Sequence, residues 1–173
     1  QRQMCIRDRA AIATMLEPLE RGEGENPGLI YDEMRDMMQA KVGIIRTKDE
    51  LEEALEDLKA FRARADACFP GTDRRYNSGW HQALDLVNMA DISTVAALAA
   101  LTREESRGGH TRDDFPVPDE DHWGQHLNIV WMEDGDIKIR QERVEPIRQD
   151  LQVALDEVKA MIKERAEQQG GGK

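Results

Sequence analysis

Trp80-His-Gln-Ala-Leu-Asp-Leu-Val-Asn-Met-Ala-Asp-Ile-Ser-Thr-Val-Ala-Ala-Leu-Ala-Ala-Leu-Thr-Arg-Glu-Glu105 is the stretch on which the fold turns. At helical spacing, Ala83, Val87, Ala90, Thr94, Ala97 and Leu101 fall in one stripe, and Leu86, Met89, Ala96 and Ala100 in another. A helix that is apolar on more than one side needs neighbours on more than one side, and alanines let their backbones come close. The pattern predicts the innermost member of a helical bundle.

Two partners lie upstream. Asn26-Pro27 offers a capping side chain followed by a proline suited to a first turn. Ile30, Met34, Met37, Met38, the Lys41 stem, Val42 and Ile45 then recur every three or four positions, predicting a helix to about Val42 that ends near Gly43. The methionines read as core filling. Thr47-Lys-Asp-Glu50 is a capping box, in which the threonine oxygen accepts from a backbone N–H three residues on and the glutamate returns the bond. The helix it opens points Leu51, Leu55, Leu58, Phe61 or Arg62, and Ala65 inward and keeps Glu52, Glu53, Glu56 and Asp57 in water; Pro70-Gly71 stops it after Cys68. With a polar loop over Asp73 to Gly79, residues 27–107 are expected to form an antiparallel three-helix bundle.

Beyond Gly108-Gly109 the period changes. His126 to Met132 alternates, Glu133-Asp-Gly-Asp136 has turn chemistry, and Ile137 to Val144 alternates again, so residues 108–146 read as a loop and a short β-hairpin. Such a hairpin is marginal alone and needs a surface to lie on. Pro146 opens a last amphipathic helix, with Leu151, Leu155, Val158 and Ile162 expected inward; residues 147–173 comprise this helix and a tail, Gln168-Gln-Gly-Gly-Gly-Lys173, expected to be disordered. The expected class is mainly α: an antiparallel three-helix bundle followed by a short β-hairpin and a C-terminal helix.

At the other end, residues 1–9 read as a translated adapter-like artefact fused to the reading frame and are set aside from fold reasoning. On that reading the natural chain continues upstream, and residues 10–26, which end in the glycine-bearing run Glu20-Arg-Gly-Glu-Gly-Glu25, are the remnant of a preceding domain and its linker. Of the 173 residues 34% are charged and 5% aromatic, which suits a small helical core under a solvated surface. The net charge of −11 supplies no field for holding phosphates, so nucleic acid is not an expected partner. No uncharged apolar run reaches the ~18 to 20 residues of a membrane span, so attachment to a membrane is expected only through a partner. With Cys5 set aside, Cys68 stands alone, which fits a reducing compartment and excludes paired-cysteine metal chemistry.

The densest chemistry lies in Arg103-Glu-Glu-Ser-Arg-Gly-Gly-His-Thr-Arg-Asp-Asp-Phe-Pro116, where arginines, a histidine, hydroxyls and carboxylates surround two glycines directly after the buried helix. Glycines free the backbone, and guanidinium groups bind carboxylates with paired hydrogen bonds. This segment resembles the signature that follows the helical bundle in succinate dehydrogenase and fumarate reductase flavoproteins. Tyr76-Asn77, Gly79-Trp80-His81, Ala83-Leu84-Asp85-Leu86 and Asn88-Met89 resemble the entry to that family's third bundle helix, and Val42-Gly-Ile-Ile-Arg46 resembles the end of the first in actinobacterial members. The likeness runs from Leu16 to Val144; Ser78, where proline is more usual, Ala90-Asp91 and the terminal helix depart from the pattern.

The resemblance implies a subunit with tightly or covalently bound FAD that interconverts succinate and fumarate and passes electrons to an iron–sulfur subunit and a quinone pool. It implies a cytoplasmic, peripheral location at the inner face of the bacterial plasma membrane, through a membrane anchor subunit. This chain has no glycine-rich strand-to-helix turn for a flavin pyrophosphate and no counterpart of the family's dicarboxylate clamp, so FAD belongs to the flavin domain that precedes it, and no catalytic, cofactor-binding or metal residue is assigned here. Arg103, Glu104, Ser106, Arg107, His110 and Arg112 are candidates for contacts between the bundle and that flavin domain; the alternative, that Arg107, His110 and Arg112 shape the active-site cleft, is weaker because the family's chemical roles have other occupants. Glu104 and Glu105 read as ion-pair partners or a solvated helix end. His122 and His126 have a metal-compatible spacing but no third ligand nearby. Two other readings compete: the tail of an L-aspartate oxidase or adenylylsulfate reductase flavoprotein, and an independent helical module that binds a protein partner.

Overall fold

The structure is a computed structural model that describes residues 2–170, and the burial of residues 6–162. It is mainly α, with α1 Arg2–Glu20, α2 Pro27–Lys41, β1 Ile45–Arg46, α3 Lys48–Ala67, α4 Ser78–Thr102, β2 Thr111–Arg112, β3 His126–Glu133, β4 Asp136–Arg143 and α5 Gln149–Gly170. Two compact units divide it, residues 1–142 and 143–173.

In the first unit the helix starts follow the capping chemistry of the sequence. Asn26 Oδ1 accepts from Gly28 N at 2.8 Å with Pro27 in the first turn, and Thr47 and Glu50 form the full reciprocal box. α4 begins two residues earlier than the spacing indicates, because Asn77 Oδ1 accepts from Trp80 N at 3.0 Å. Asn77 also donates to Pro70 O and Asp73 O, which ties down a loop where Tyr76 adopts a positive φ of 55°.

The core lies where α2, α3 and α4 meet. Ile30 and Met34 come from α2, Leu51, Ala54, Leu58, Phe61 and Ala65 from α3, and Ala83, Leu86, Ala90, Ala97 and Ala100 from α4. α4 contacts both other bundle helices and α1, and its buried alanines are the means of that close approach. α3 uses Ala54 as well as Leu51 and Leu58, while Leu55 is only half-buried, so its inner face is rotated slightly from the stripe read in the sequence. By length and composition α4 could cross a membrane, although it carries Asp85 and Asp91; Asp91 accepts from Arg62 Nε of α3 at 3.0 Å.

Two features go beyond the expectations, and two expectations are corrected. Residues 10–20, for which no element was expected, are helical: α1 runs to Glu20, buries Pro18 and Leu19, and accepts at Met15 O a 2.6 Å bond from Trp80 Nε1, while residues 21–25 of the glycine-bearing run form the expected loop. β1 pairs in parallel with β2, Ile45 opposite Thr111 and Arg46 opposite Arg112, a long-range pairing with no local signal. In the second unit Leu151, Leu155, Val158 and Ile162, expected inward, are 43–63% exposed. α5 extends through Gly170, so residues 168–170 are helical, not disordered; the rest of the expected disordered tail, residues 171–173, lies outside the described residues. β3 and β4 form the expected hairpin, turning at Asp134 and Gly135, whose φ values are 53° and 87°.

Leu58 and Leu155 therefore separate core from exposed face. Leu58→Ala is expected to cost about 3 kcal/mol in urea unfolding and Leu155→Ala less than about 0.5 kcal/mol; equal shifts in the two midpoints would contradict this assignment of the core.

Candidate functional site

The end of α4 sets the problem that the following loop solves. A helix C-terminus leaves carbonyls without intrahelical partners and a negative dipole end. Arg112, 1% exposed, meets both: its Nη1 donates to Ala100 O, Leu101 O and Arg103 O at 3.1, 3.1 and 3.2 Å. Its other edge forms a paired contact with Asp114, Nε to Oδ1 at 2.7 Å and Nη2 to Oδ2 at 2.6 Å, and its guanidinium lies 5.1 Å from the Phe115 ring centroid. Asp114 also accepts from Lys48 N at 3.1 Å, so the same carboxylate ties the loop to the start of α3. The Arg112 hydrogen bonds hold the Asp114 carboxyl below its ordinary range.

Glu105 is the second organising charge. Its side chain is fully buried and accepts from Arg103 Nη2 at 2.6 Å and from Arg107 Nε at 3.1 Å. Burial opposes its charge, but the hydrogen bonds and positive charges of Arg107 and Arg103 outweigh it, so the carboxyl is held below the usual carboxylate range. Arg107 Nη2 continues to Trp123 O at 3.0 Å, which links the loop to the turn ahead of the hairpin. Ser106 Oγ accepts from Arg112 N at 2.8 Å and donates to Phe115 O at 2.8 Å, pinning both limbs of the loop.

The tip is a tight turn. Arg107 and His110 exchange backbone bonds, N to O at 2.9 and 3.2 Å, around Gly108, whose φ of 64° disfavours any side chain. His110 is buried, and its Nδ1 lies 2.7 Å from Nη1 of Arg46 on β1. A guanidinium can only donate, so Nδ1 is the acceptor and Nε2 carries the proton, facing Arg103 O at 3.3 Å. Burial first, and then the charges of Arg103, Arg46 and Arg112, push the His110 pKa down and favour the neutral ring.

Arg103, Ser106, Arg107, His110 and Arg112 are thus brought into one network, and Glu104 stands exposed outside it. The bonds that tie the loop to its surroundings reach Arg46 on one side and Trp123 on the other. Sequence reasoning gave Arg46, which is 64 positions from its histidine, no polar role; of its two readings of Glu105 the ion-pair partner is the one seen, and the adjacent arginines at 103 and 107 were the available signal for its burial. His122 and His126 have ring centroids 4.6 Å apart, but His126 Nδ1 is 2.6 Å from His122 O, and among the described residues no group of three or more acidic, histidine or cysteine side chains is placed to hold a metal. A groove of about 930 Å³ lies elsewhere in the first unit, between α3, α4 and the hairpin tip, lined by Leu55, Leu58, Leu98 and Ile137 with a charged rim.

The structure thus presents a three-helix bundle whose last helix is closed by a charge-paired loop, and comparison with known proteins supplies its class. Residues 31–167 match the model of the fumarate reductase flavoprotein C-terminal family, and the chain belongs to that family. It is 33% identical over 138 residues to a succinate dehydrogenase flavoprotein subunit of Coxiella burnetii, covering 79% of this chain and 23% of that one. A fumarate reductase flavoprotein subunit of Mycobacterium tuberculosis is 31% identical over 117 residues, 67% of this chain and 20% of the relative. A solved structure of the Mycobacterium smegmatis Sdh1 complex in the apo form matches with a TM-score of 0.73 at 37% identity, over 86% of this chain and 26% of the other. The chain thus spans about a quarter of the length of the relatives it matches.

The neutral His110 gives a pH signature. Its folded pKa lies below the unfolded value of about 6.5, so its contribution is complete above that value and is lost as pH falls toward the folded pKa, where only the unfolded chain has taken up a proton. The melting temperature is expected to fall between about pH 7 and 5, and His110→Asn to flatten that fall; an unchanged slope in the variant would remove His110 as its source.

Proposed function

We propose that this chain is the C-terminal helical part of the FAD-carrying subunit of a succinate dehydrogenase or fumarate reductase, which interconverts succinate and fumarate and passes electrons through an iron–sulfur subunit to quinone. The observation that carries the reading is the network on Arg112 and Glu105, which builds the family signature into a rigid closure at the end of α4. Support also comes from the family match across residues 31–167. The tails of L-aspartate oxidase and adenylylsulfate reductase are less favoured readings.

This chain's own residues do not fit a flavin. A flavin pyrophosphate is cradled at a glycine-rich turn from a strand into a helix. The junction of that kind here, Arg46-Thr47-Lys48 from β1 into α3, has no glycine, and its first-turn amides serve the Thr47 and Asp114 side chains. FAD, the dicarboxylate site and proton delivery are assigned to the flavin domain of the same polypeptide. Residues 10–26 are the end of that domain and its linker, 27–107 the bundle, 108–146 the signature loop and hairpin, and 147–173 the terminal helix and tail. Arg103, Glu104, Ser106, Arg107, His110 and Arg112 belong to the segment that faces the flavin domain, the buried ones by shaping the loop. The assembly lies at the cytoplasmic face of the bacterial plasma membrane, held there by an anchor subunit.

The test is a transplant. Residues 31–167 replace the matching stretch of the Coxiella burnetii flavoprotein subunit, and the chimera is assayed for flavin content and succinate-dependent dye reduction. Retained flavin with at least roughly a tenth of the parent rate is expected; a folded chimera devoid of both would refute the reading.

A further inference from the structure

The arginines of the network are unequally served. Arg103 and Arg107 share Glu105, and Arg112 holds Asp114. Arg46 has no carboxylate partner among the described residues: its Nε donates to Gly43 O at 2.6 Å and more weakly to Val42 O at 3.3 Å, and its Nη1 to His110. It is half-buried and repelled by Arg103 and Arg112, so its charge is partly desolvated without an opposite charge to offset the cost.

Its surroundings are equally incomplete. Ile44 and Ile45 are 73% and 61% exposed, and Ile45 lies in β1, whose described pairing is with β2 on one edge. Parallel pairing is found almost only where both faces are covered, and a two-stranded pair this short does not stand alone. At the nearby tip, a Cβ built on Gly108 or Gly109 would meet nothing within 4 Å, so the loop is a low, bare ridge beside Ile45's strand partner Thr111. One uncompensated cation flanked by two bare β-branched side chains is the composition of an interface centre, not of a solvated turn.

We propose that Arg46, Ile44 and Ile45 form a docking surface for the flavin domain of the flavoprotein, with Arg46 taking a carboxylate presented by that domain inside an apolar rim. This rests on the function proposed above. Two facts point to that occupant: the matched flavoprotein chains are about four times as long as the stretch this chain matches, and the half-buried cation of Arg46, bonded only to neutral acceptors among the described residues, is complementary to one carboxylate. The inference moves the point of contact from the arginines of the signature, which spend their hydrogen bonds inside the loop, to the segment between α2 and α3 that the loop holds in place.

Ile45→Glu and Arg46→Gln test it in the isolated chain and in the transplanted flavoprotein. Ile45→Glu is expected to leave the melting temperature of the isolated chain within about 1 °C, since an exposed side chain contributes little, and to reduce flavin retention of the chimera about tenfold. Arg46→Gln is expected to lower both, the chimera more strongly. If the parent chimera holds flavin and the variants match it, or lose no more than the isolated chain does, the docking surface is refuted while the family function stands. If the parent chimera is folded but holds no flavin, both fall. Concentration-dependent dimerisation of the isolated chain that Ile45→Glu abolishes would give the surface to a second copy and overturn the proposal.

Discussion

The buried guanidinium of Arg112 is the constraint on which the rest of the network depends. By satisfying three carbonyls at the end of α4 from a position about ten residues further on, it turns a helix terminus into a fixed origin for the chain that follows. Asp114 neutralises it and reaches Lys48 N at the start of α3, and β2, which carries it, pairs with β1. The last helix of the bundle and the connection between the first two are thereby joined through one side chain. A lysine could not reproduce this, because the geometry needs a planar fork that addresses carbonyls with one edge and a carboxylate with the other.

Glu105 performs the complementary task. A fully buried carboxylate between two arginines is costly to desolvate and is worth retaining chiefly for the unique arrangement it enforces. Here it fixes the directions of Arg103 and Arg107, and Arg107 in turn fixes the turn at Trp123 from which the hairpin departs. The polar network thus specifies direction, while the alanine-faced packing of α4 supplies the stability that tolerates its cost.

Local features of the fold were legible in the sequence, and contacts across it were not. Asn26-Pro27, the Thr47–Glu50 box and the Asp134-Gly135 turn act within a few residues, and each appears in the structure at its expected place. The alanine stripes of α4 announced a helix with several neighbours. The bond from Arg46 to His110 and the parallel β1–β2 pair bring together residues 64 to 66 positions apart, and no periodicity encodes a single long-range contact. α1 escaped because its first residues were set aside as an artefact and its remaining apolar piece, Ala10 to Leu16, is short and runs into Pro18 and a polar end that resembles a linker. α5 shows the converse: a period of three and four says which residues share a face, not whether anything covers it. In the signature segment the residue types disclosed a fixed polar contact, and only the coordinates revealed that most of it is turned inward.

Native-state hydrogen exchange of the Arg112→Lys variant tests most directly whether one side chain organises the loop. If it does, the amides of Arg107, His110, Arg112 and Asp113, which are bonded to His110 O, Arg107 O, Ser106 Oγ and Arg46 O, lose protection together, while amides in the middle of α3 keep theirs. Loss confined to Arg112, with Asp113 and His110 still protected, would contradict it and leave Arg112 as a local cap on α4.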